Sequence, residues 1–132
     1  MDEKELSELS RKTSERLFGV QKKGEGAYAL WREFDPELAK HFSRFFVGRL
    51  YAREMLSQKQ RELCAVAALT VRNFREELHI HCHAALNVGA TAEEVAEVIF
   101  QMSTYGGVPC MVEGLKVLKK VLQARGEWKD KK

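Results

Sequence analysis

The chain has 132 residues, of which 45% are hydrophobic, and 22 Lys and Arg stand against 19 Asp and Glu. This composition is typical of one globular domain with a hydrophobic core, and it excludes wholesale disorder. The net charge of +3, without a long basic tract, gives no indication of a nucleic-acid partner. The charged N-terminus lacks the apolar run of a signal peptide, and no apolar stretch approaches the ~20 residues that span a bilayer. We therefore expect a cytoplasmic protein with no membrane partner.

Helical periodicity begins at the N-terminus. Residues 3–18 carry a thin apolar stripe on a charged segment, which suits a helix that lies on a surface or on a neighbouring subunit. Three glycines then break the chain, and a short helix follows from about residue 28. The aromatic side chains of this region and of the next helix are difficult to bury in one small subunit, so we expect part of this surface, together with the stripe, to lie in subunit interfaces. These aromatic residues are Tyr28, Trp31, Phe42, Phe45 and Phe46.

Capping signals delimit the later helices. Asp35 followed by Pro36 predicts a helix start, and residues 57–60 fit a capping box. The helix that follows is apolar on every side over residues 63–71, so we expect it to be central and buried. Further signals predict a helix over residues 75–88 closed by Gly89, a helix starting at a capping box over 91–94, and a last helix over 109–124. No segment alternates with period two for long enough to form a strand, so the predicted class is all-α.

The 75–88 helix carries three histidines. His81 falls within its apolar face, whereas His79 and His83 fall toward its polar side. Glu77 lies one turn before His81, and a carboxylate can orient an imidazole for acid/base work near neutral pH. The alternative is a core histidine satisfied by a hydrogen bond. His79 and His83 have the spacing of metal-binding helices, but no third ligand is obvious, and we predict no metal site.

Four other side chains are candidates for chemistry. Glu62 begins an apolar helix, where it is either a desolvated carboxylate suited to proton transfer or a first-turn glutamate favoured by the helix dipole. The three cysteines form no Cys-x-x-Cys pair and no disulfide framework. Cys64 and Cys82 fall on apolar faces and are interpreted as packing residues. Cys110, in the first turn of the last helix, is the candidate reactive thiol.

An ordered set of motifs runs through residues 33–122. The set comprises Arg61-Glu62-Leu63, Glu77-Leu78-x-x-His81, Ala84-Ala85-Leu86-Asn87-x-Gly89, Thr91-x-x-Glu94-x-x-Glu97, Gln101 and Tyr105-Gly106-Gly107-Val108-Pro109. Each motif is weak alone, but the ordered set resembles the carboxymuconolactone decarboxylase family, which includes the alkylhydroperoxidase D proteins.

The resemblance implies a fold and a domain organisation. The implied fold is the all-α alkylhydroperoxidase D-like fold, with about six to seven helices and a central antiparallel helix hairpin. The implied assembly is a homotrimer or homohexamer. A family domain would cover residues 33–125, after an N-terminal helical extension over 1–32 and before a solvated tail over 126–132.

The resemblance also implies a chemistry, the cofactor-free removal of CO2 from a small lactone acid. His81 would transfer the proton, Glu77 would orient it, and Glu62 would be a second acid or base. The predicted pocket wall comprises Tyr105, Gly107, Pro109, Cys110 and Cys82.

Two alternatives remain beside the decarboxylase or isomerase hypothesis. The first is an alkylhydroperoxidase D-like thiol peroxidase acting through Cys110 or Cys82. The thiol pair of those proteins, aligned on His81, would fall on Phe74 and Glu77, so this chain lacks both thiols. The second alternative is a non-catalytic helical oligomer that binds a small ligand.

Overall fold

The structure, a computed structural model, describes residues 1–131, and within them it contains helices and no strands. Its elements are α1 (Glu3–Phe18), α2 (Gly26–Phe34), α3 (Pro36–Ser43), a π-helix (Arg44–Tyr51), α4 (Gln58–Val71), α5 (Arg75–Asn87), α6 (Ala92–Gln101), α7 (Ser103–Gly106) and α8 (Val108–Ala124). The π-helix continues α3, so the two form one helix, and α7 is only a single turn. Counted in this way, the described residues contain seven longer helices. The predicted all-α class with about six to seven helices is confirmed. Among the described residues, no helix has the length and apolarity needed to cross a bilayer.

The chain divides into two compact units, an N-terminal unit (Met1–Gln58) and a C-terminal unit (Lys59–Lys132). Lys132, the end of the predicted solvated tail, lies outside the described residues. The division into compact units does not test where a family domain begins or ends. The predicted limits of 1–32, 33–125 and 126–132 therefore stay predictions.

In the N-terminal unit, α1 packs along the π-helix. Leu6 and Leu17 of its apolar stripe are buried within the chain. The hydroxyl of Ser10 donates a 3.0 Å hydrogen bond to the carbonyl of Ser43. Gly48 permits the close approach, because a Cβ atom there would come within 2.8 Å of a methyl group of Leu6. The stripe is thus buried largely within its own unit, and its predicted place in a subunit interface stays a prediction.

The aromatic residues of the N-terminal unit remain partly open to solvent. Trp31, Phe42, Phe45 and Phe46, which we call the aromatic cluster, contact one another with ring centroids 5.3–6.3 Å apart. The three phenylalanines are each at least one-third exposed. The cluster is therefore an apolar surface on the isolated chain, as expected from the number of aromatic residues in this region.

The core of the C-terminal unit forms where α5, α6 and α7 pack against α8. Its buried apolar residues are Val66, Leu78, Cys82, Ala85, Ala90, Val95, Ile99, Val117, Leu118, Val121 and Leu122. Two local signals in this unit are confirmed. Thr91 and Glu94 form a reciprocal capping box at the start of α6, and Gly89 has a φ of +105°, which favours glycine.

Helix α4 is less buried than its sequence predicts. One face, with Glu62, Val66 and Thr70 at successive i, i+4 positions, is fully buried, but Cys64 and Ala68 on other faces are exposed. The expectation that the whole helix is buried is wrong for the isolated chain, because only one side of α4 is covered. The expectation that Cys64 packs in the core is wrong for the same reason.

Candidate active site

A tight turn connects α4 to α5. The N–H of Phe74 donates to the carbonyl of Leu69, and the N–H of Asn73 donates to the carbonyl of Thr70. This pair of bonds is a Schellman motif, and Asn73 takes its left-handed position with a φ of +57°. Residues 72–74 join the two helices, and we call α4, this turn and α5 the hairpin. A side chain of α5 reaches the first turns of α4, as the contact between His81 and Glu62 shows. The central antiparallel packing predicted for the hairpin stays a prediction.

Glu62 and His81 meet across this hairpin. Oε2 of Glu62 lies 2.7 Å from Nδ1 of His81. The glutamate side chain is fully buried, whereas the imidazole is 19% exposed. An ionised carboxylate is an acceptor only, so Nδ1–H donates and the remaining ring nitrogen, Nε2, is the basic one. The arrangement fixes both the orientation and the tautomer of the histidine.

The other carboxyl oxygen of Glu62, Oε1, is buried and has no hydrogen-bond partner among the described residues. A buried carboxylate with only one of its oxygens bonded is destabilising, because the lost hydration is not fully replaced. Glu62 in its present place is therefore not explained by stability. A buried carboxylate with an unbonded oxygen is more typical of a functional site than of a structural core.

Glu77 lies on the opposite side of the imidazole. Its Oε2 atom is 3.9 Å from Nε2 of His81, and its side chain is 57% exposed. This distance allows an electrostatic interaction but exceeds that of a hydrogen bond. The sequence predicts an orienting role for Glu77 and a separate acid/base role for Glu62. Of the two carboxylates, only Glu62 lies within hydrogen-bond distance of the His81 ring.

The cysteines differ in their surroundings. Burial, with a further contribution from the Glu62 carboxylate, raises the pKa of the Cys82 thiol to about 12. The thiol of Cys110 is buried and donates to the carbonyl of Gly107 at 3.1 Å. Cys64 is exposed and lies on another face of α4. Neither buried thiol has the electropositive, accessible environment that activates a cysteine.

Four of the five predicted pocket residues lie at the turn from α7 to α8, whereas the fifth, Cys82, lies on α5. Gly107 has a φ of +93°, and Pro109 follows it in the first turn of α8. Gly106 lies against the end of α4, because a Cβ atom there would come within 3.3 Å of Val71. The side chain of Tyr105 is 70% exposed. The turn is thus built against α4, while Tyr105 lies mostly in solvent in the isolated chain.

His79 and His83 form a second, separate group. Their rings pack edge to face with centroids 4.9 Å apart, and Nη1 of Arg125 lies 3.3 Å from Nδ1 of His83. Burial, followed by the charges of His79 and Arg125, lowers the pKa of His83. Sequence reasoning missed Arg125, because 42 residues separate it from His83 and no local pattern marks the contact. In the described part of the chain, no three His, Cys, Asp or Glu side chains converge as metal ligands.

Comparison with known proteins identifies the family that this chain resembles. The model of the carboxymuconolactone decarboxylase family matches residues 36–120, nearly two-thirds of the chain, and these residues include the Glu62–His81 pair. An uncharacterized 15.0 kDa protein of Paracoccus denitrificans is 35% identical over 94 residues, which cover 70% of each chain. The 4-carboxymuconolactone decarboxylase of Acinetobacter baylyi is 29% identical over 94 residues, covering 71% of this chain and 70% of its own.

A third relative is the nitrosuccinic acid decarboxylase of the fungus Metarhizium robertsii. It is 29% identical over 85 residues, which cover 62% of this chain and 59% of its own. Two of these three relatives are thus named as decarboxylases of small acids. Because the family model covers more than half of the residues, this chain belongs to the carboxymuconolactone decarboxylase family.

Proposed function

We propose that this chain is a cofactor-independent enzyme that transfers a proton during the decarboxylation or isomerisation of a small lactone or carboxylic acid. The single observation that carries the proposal is the 2.7 Å contact between the buried Glu62 and the partly exposed His81. Two relatives named as decarboxylases of small acids support the reaction type.

The proposed chemistry uses the two nitrogens of His81 differently. Glu62 accepts from Nδ1–H and stabilises the imidazolium that forms when Nε2 takes a proton from solvent. In a decarboxylation, the bond between the carboxyl carbon and its neighbour breaks, CO2 leaves, and the electron pair remains on the substrate carbon. The imidazolium then delivers its proton from Nε2 to that carbon. A histidine suits this step because its ordinary charge change falls near neutral pH.

Glu77 has a different proposed role, since its carboxylate lies on the Nε2 side and is more than half exposed. In this role the Glu77 carboxylate passes protons between solvent and Nε2 of His81. A contact of 3.9 Å with an exposed partner contributes little to orientation. We therefore expect Glu77 to modulate the reaction, and Glu62 to be required for it.

We further propose that the chain works as a homotrimer or homohexamer. The aromatic cluster of the N-terminal unit is an exposed apolar surface. In the C-terminal unit, α4 has apolar residues outside its buried face, including the exposed Ala68 and Val71. Apolar surfaces of this kind mark subunit interfaces in proteins that assemble symmetrically.

The experiment is an activity assay on two candidate acids, 4-carboxymuconolactone and nitrosuccinic acid, which are the acids in the relatives' names. Release of CO2 is measured for the unchanged chain, for His81→Asn and for His79→Asn. His79→Asn is the matched control, because His79 lies on the same helix but in the other histidine group. We expect His81→Asn to lower kcat by about 10²- to 10⁴-fold with a nearly unchanged melting temperature.

His79→Asn is expected to leave kcat within a few-fold of the unchanged chain. Normal turnover by His81→Asn would show that His81 does not transfer the proton. Binding of either acid without turnover by the unchanged chain would favour the non-catalytic alternative. Hydroperoxide turnover that depends on Cys82 or Cys110 would favour the thiol peroxidase.

A further inference from the structure

The N-terminal unit has a cavity of about 460 Å³ that is open to solvent on one side. It lies between α1, residues 19–25 and the junction of α3 with the π-helix. This volume is within the range of about 300–1,000 Å³ that is usual for small-molecule sites. None of the predicted catalytic or pocket residues lines it. Most of the lining precedes residue 36, where the family match begins, so this cavity is built largely by the part of the chain outside that match.

The lining of this cavity has an excess of positive charge. Three cations, Arg11, Lys40 and Arg44, stand against two carboxylates, Glu15 and Glu25. Arg11 is not available to a ligand, because its guanidinium pairs with Glu15 at 2.7 Å and with Glu8, outside the lining, at 2.5 Å. Lys40 makes no ion pair with the described residues. The charges that remain for a ligand are thus those of Lys40 and Arg44 against the one carboxylate of Glu25.

The guanidinium of Arg44 is held in position rather than neutralised. Its Nε donates to the hydroxyl of Ser7 at 3.0 Å. Its other neighbour, Glu3, is 3.7 Å from Nη1 and 84% exposed, so solvent screens that pair. Lys40 lies one helical turn before Arg44, and both side chains line the cavity. Two cations on one wall, one of them oriented by a hydroxyl, form a site that favours an anion.

Serine hydroxyls complete the wall of this cavity. Ser7, Ser10 and Ser14 follow one face of α1, and Ser43 lies opposite them. The hydroxyl of Ser10 donates to the carbonyl of Ser43, so across the 3.1 Å between the two hydroxyls Ser43 donates to Ser10. The serine donors that remain for a ligand are therefore Ser7 and Ser14. Hydroxyl, guanidinium and ammonium groups are the donors that carboxylate and phosphate oxygens accept from. The cavity therefore combines a suitable volume, a net positive charge and several donors.

We propose that this cavity binds a small oxyanion, a carboxylate or a phosphate, through Lys40, Arg44 and the hydroxyls of Ser7 and Ser14. The site is distinct in sequence from the Glu62–His81 pair, and the proposal does not depend on the reaction assigned to that pair. A carboxylate and a phosphate both offer negatively charged oxygen atoms that accept hydrogen bonds from these donors. The experiment distinguishes them by using one probe of each kind.

The test uses the full chain in isothermal titration calorimetry at constant ionic strength. Succinate is the carboxylate probe, inorganic phosphate is the phosphate probe, and chloride is the reference anion. We expect one of the two oxyanions to bind saturably with one site per chain. Lys40→Gln should weaken that binding about tenfold, because a charge-assisted hydrogen bond is lost.

The matched control is Lys12→Gln, since Lys12 is an exposed lysine of α1 that does not line the cavity. This variant removes the same charge and is expected to leave the Kd unchanged. Both lysines are exposed, so neither substitution threatens the fold. Equal weakening by the two variants, or no oxyanion binding beyond that of chloride, would overturn the proposal.

Discussion

Arg125 joins the end of α8 to α5 through His83. Nη1 of the arginine lies 3.3 Å from Nδ1 of the histidine and donates a second bond of 3.0 Å to Oδ1 of Asn87. Because a guanidinium is a donor only, Nδ1 of His83 has to accept, which requires the neutral imidazole. Protonation of His83 would place two cations against each other. The contact therefore depends on pH.

The stability of the C-terminal unit should depend on pH through His83. Its pKa is lowered from an ordinary value of 6.5, first by burial and then by the charges of His79 and Arg125, although Glu127 acts in the opposite direction. The unfolded chain therefore binds this proton more readily than the folded chain. The contribution to the free energy of unfolding is fully present above about pH 6.5 and is lost as the pH falls through the lowered pKa.

Urea unfolding between pH 5 and 7.5 measures this effect. His83→Gln should reduce the loss of stability toward low pH, because glutamine does not titrate. His41→Gln is the control, since the His41 side chain is 64% exposed. An unchanged pH dependence in His83→Gln would contradict the prediction.

Glu62 and Glu77 should differ in their importance for turnover. Glu62→Gln keeps the size of the side chain but removes the charge at 2.7 Å from Nδ1, so we expect kcat to fall by about 10²-fold or more. Glu77→Gln should lower kcat by less than about fivefold, because an exposed pair contributes ~0–1 kcal/mol. The pH profile of kcat/KM should move in Glu62→Gln and stay in place in Glu77→Gln. The reverse order of effects would contradict the assigned roles.

The three cysteines should react with thiol reagents in a fixed order. Burial raises the pKa of the Cys82 thiol to about 12, so this thiol is almost wholly protonated at pH 8. Cys64 is exposed, and Cys110 is buried with its thiol bonded to a carbonyl. Maleimide labelling at pH 8 followed by peptide mass mapping should find Cys64 modified first and Cys82 last. Rapid labelling of Cys82 would show that its environment is not as described.

Gly114 should be intolerant of a larger side chain. A Cβ atom there would come within 2.9 Å of Ile99 and 3.1 Å of Thr70, both of which are buried. Gly114→Ala should therefore destabilise the chain by about 1 kcal/mol or more, because overpacking a core costs about 1–3 kcal/mol and exceeds the gain in helix propensity. Gln123→Ala on the exposed face of α8 is the control and should change the free energy of unfolding by less than about 0.5 kcal/mol. Equal stability of the two variants in urea would contradict this packing.

The oligomer should depend on the aromatic cluster. Light scattering at micromolar concentration should give the mass of a trimer or a hexamer. Phe45→Ser, at a side chain that is 53% exposed, should shift the population toward smaller species, since an exposed apolar ring contributes little to the isolated chain. Lys40→Ser, at an exposed position of the same unit, is the control. A monomeric unchanged chain would contradict the proposed assembly.

Local features of the fold could be predicted from the sequence because their signals lie within a few residues. Asp35 accepts from the N–H of Leu38 at the start of α3, and Pro36 follows it, as the sequence indicates. The π-helix was not predicted, since residues 44–51 have the apolar spacing of an ordinary helix. The turn at Asn73 was also missed, although asparagine is the residue after glycine that most readily takes a left-handed conformation.

The candidate site could be predicted only one residue at a time. The helical periodicity placed His81 on the apolar face of its helix, and the apolar residues after Glu62 indicated that its carboxylate could be desolvated. Neither signal contains information on which helices face each other. Their contact spans 19 residues and depends on the turn between α4 and α5. The exposure of Cys64 was missed for a related reason. A wholly apolar helix indicates burial, whereas a single chain covers only one of its faces.

The three-residue turn between α4 and α5 has a consequence for the dynamics of the candidate site. Glu62 and His81 are held together only while both helices are formed, because each belongs to a different arm of the hairpin. Local unfolding of either arm separates the imidazole of His81 from the carboxylate of Glu62. Amide hydrogen exchange along α4 and α5 therefore measures how often this contact opens. The fraction of molecules in which both arms are folded is the upper limit on the fraction in which the contact is formed.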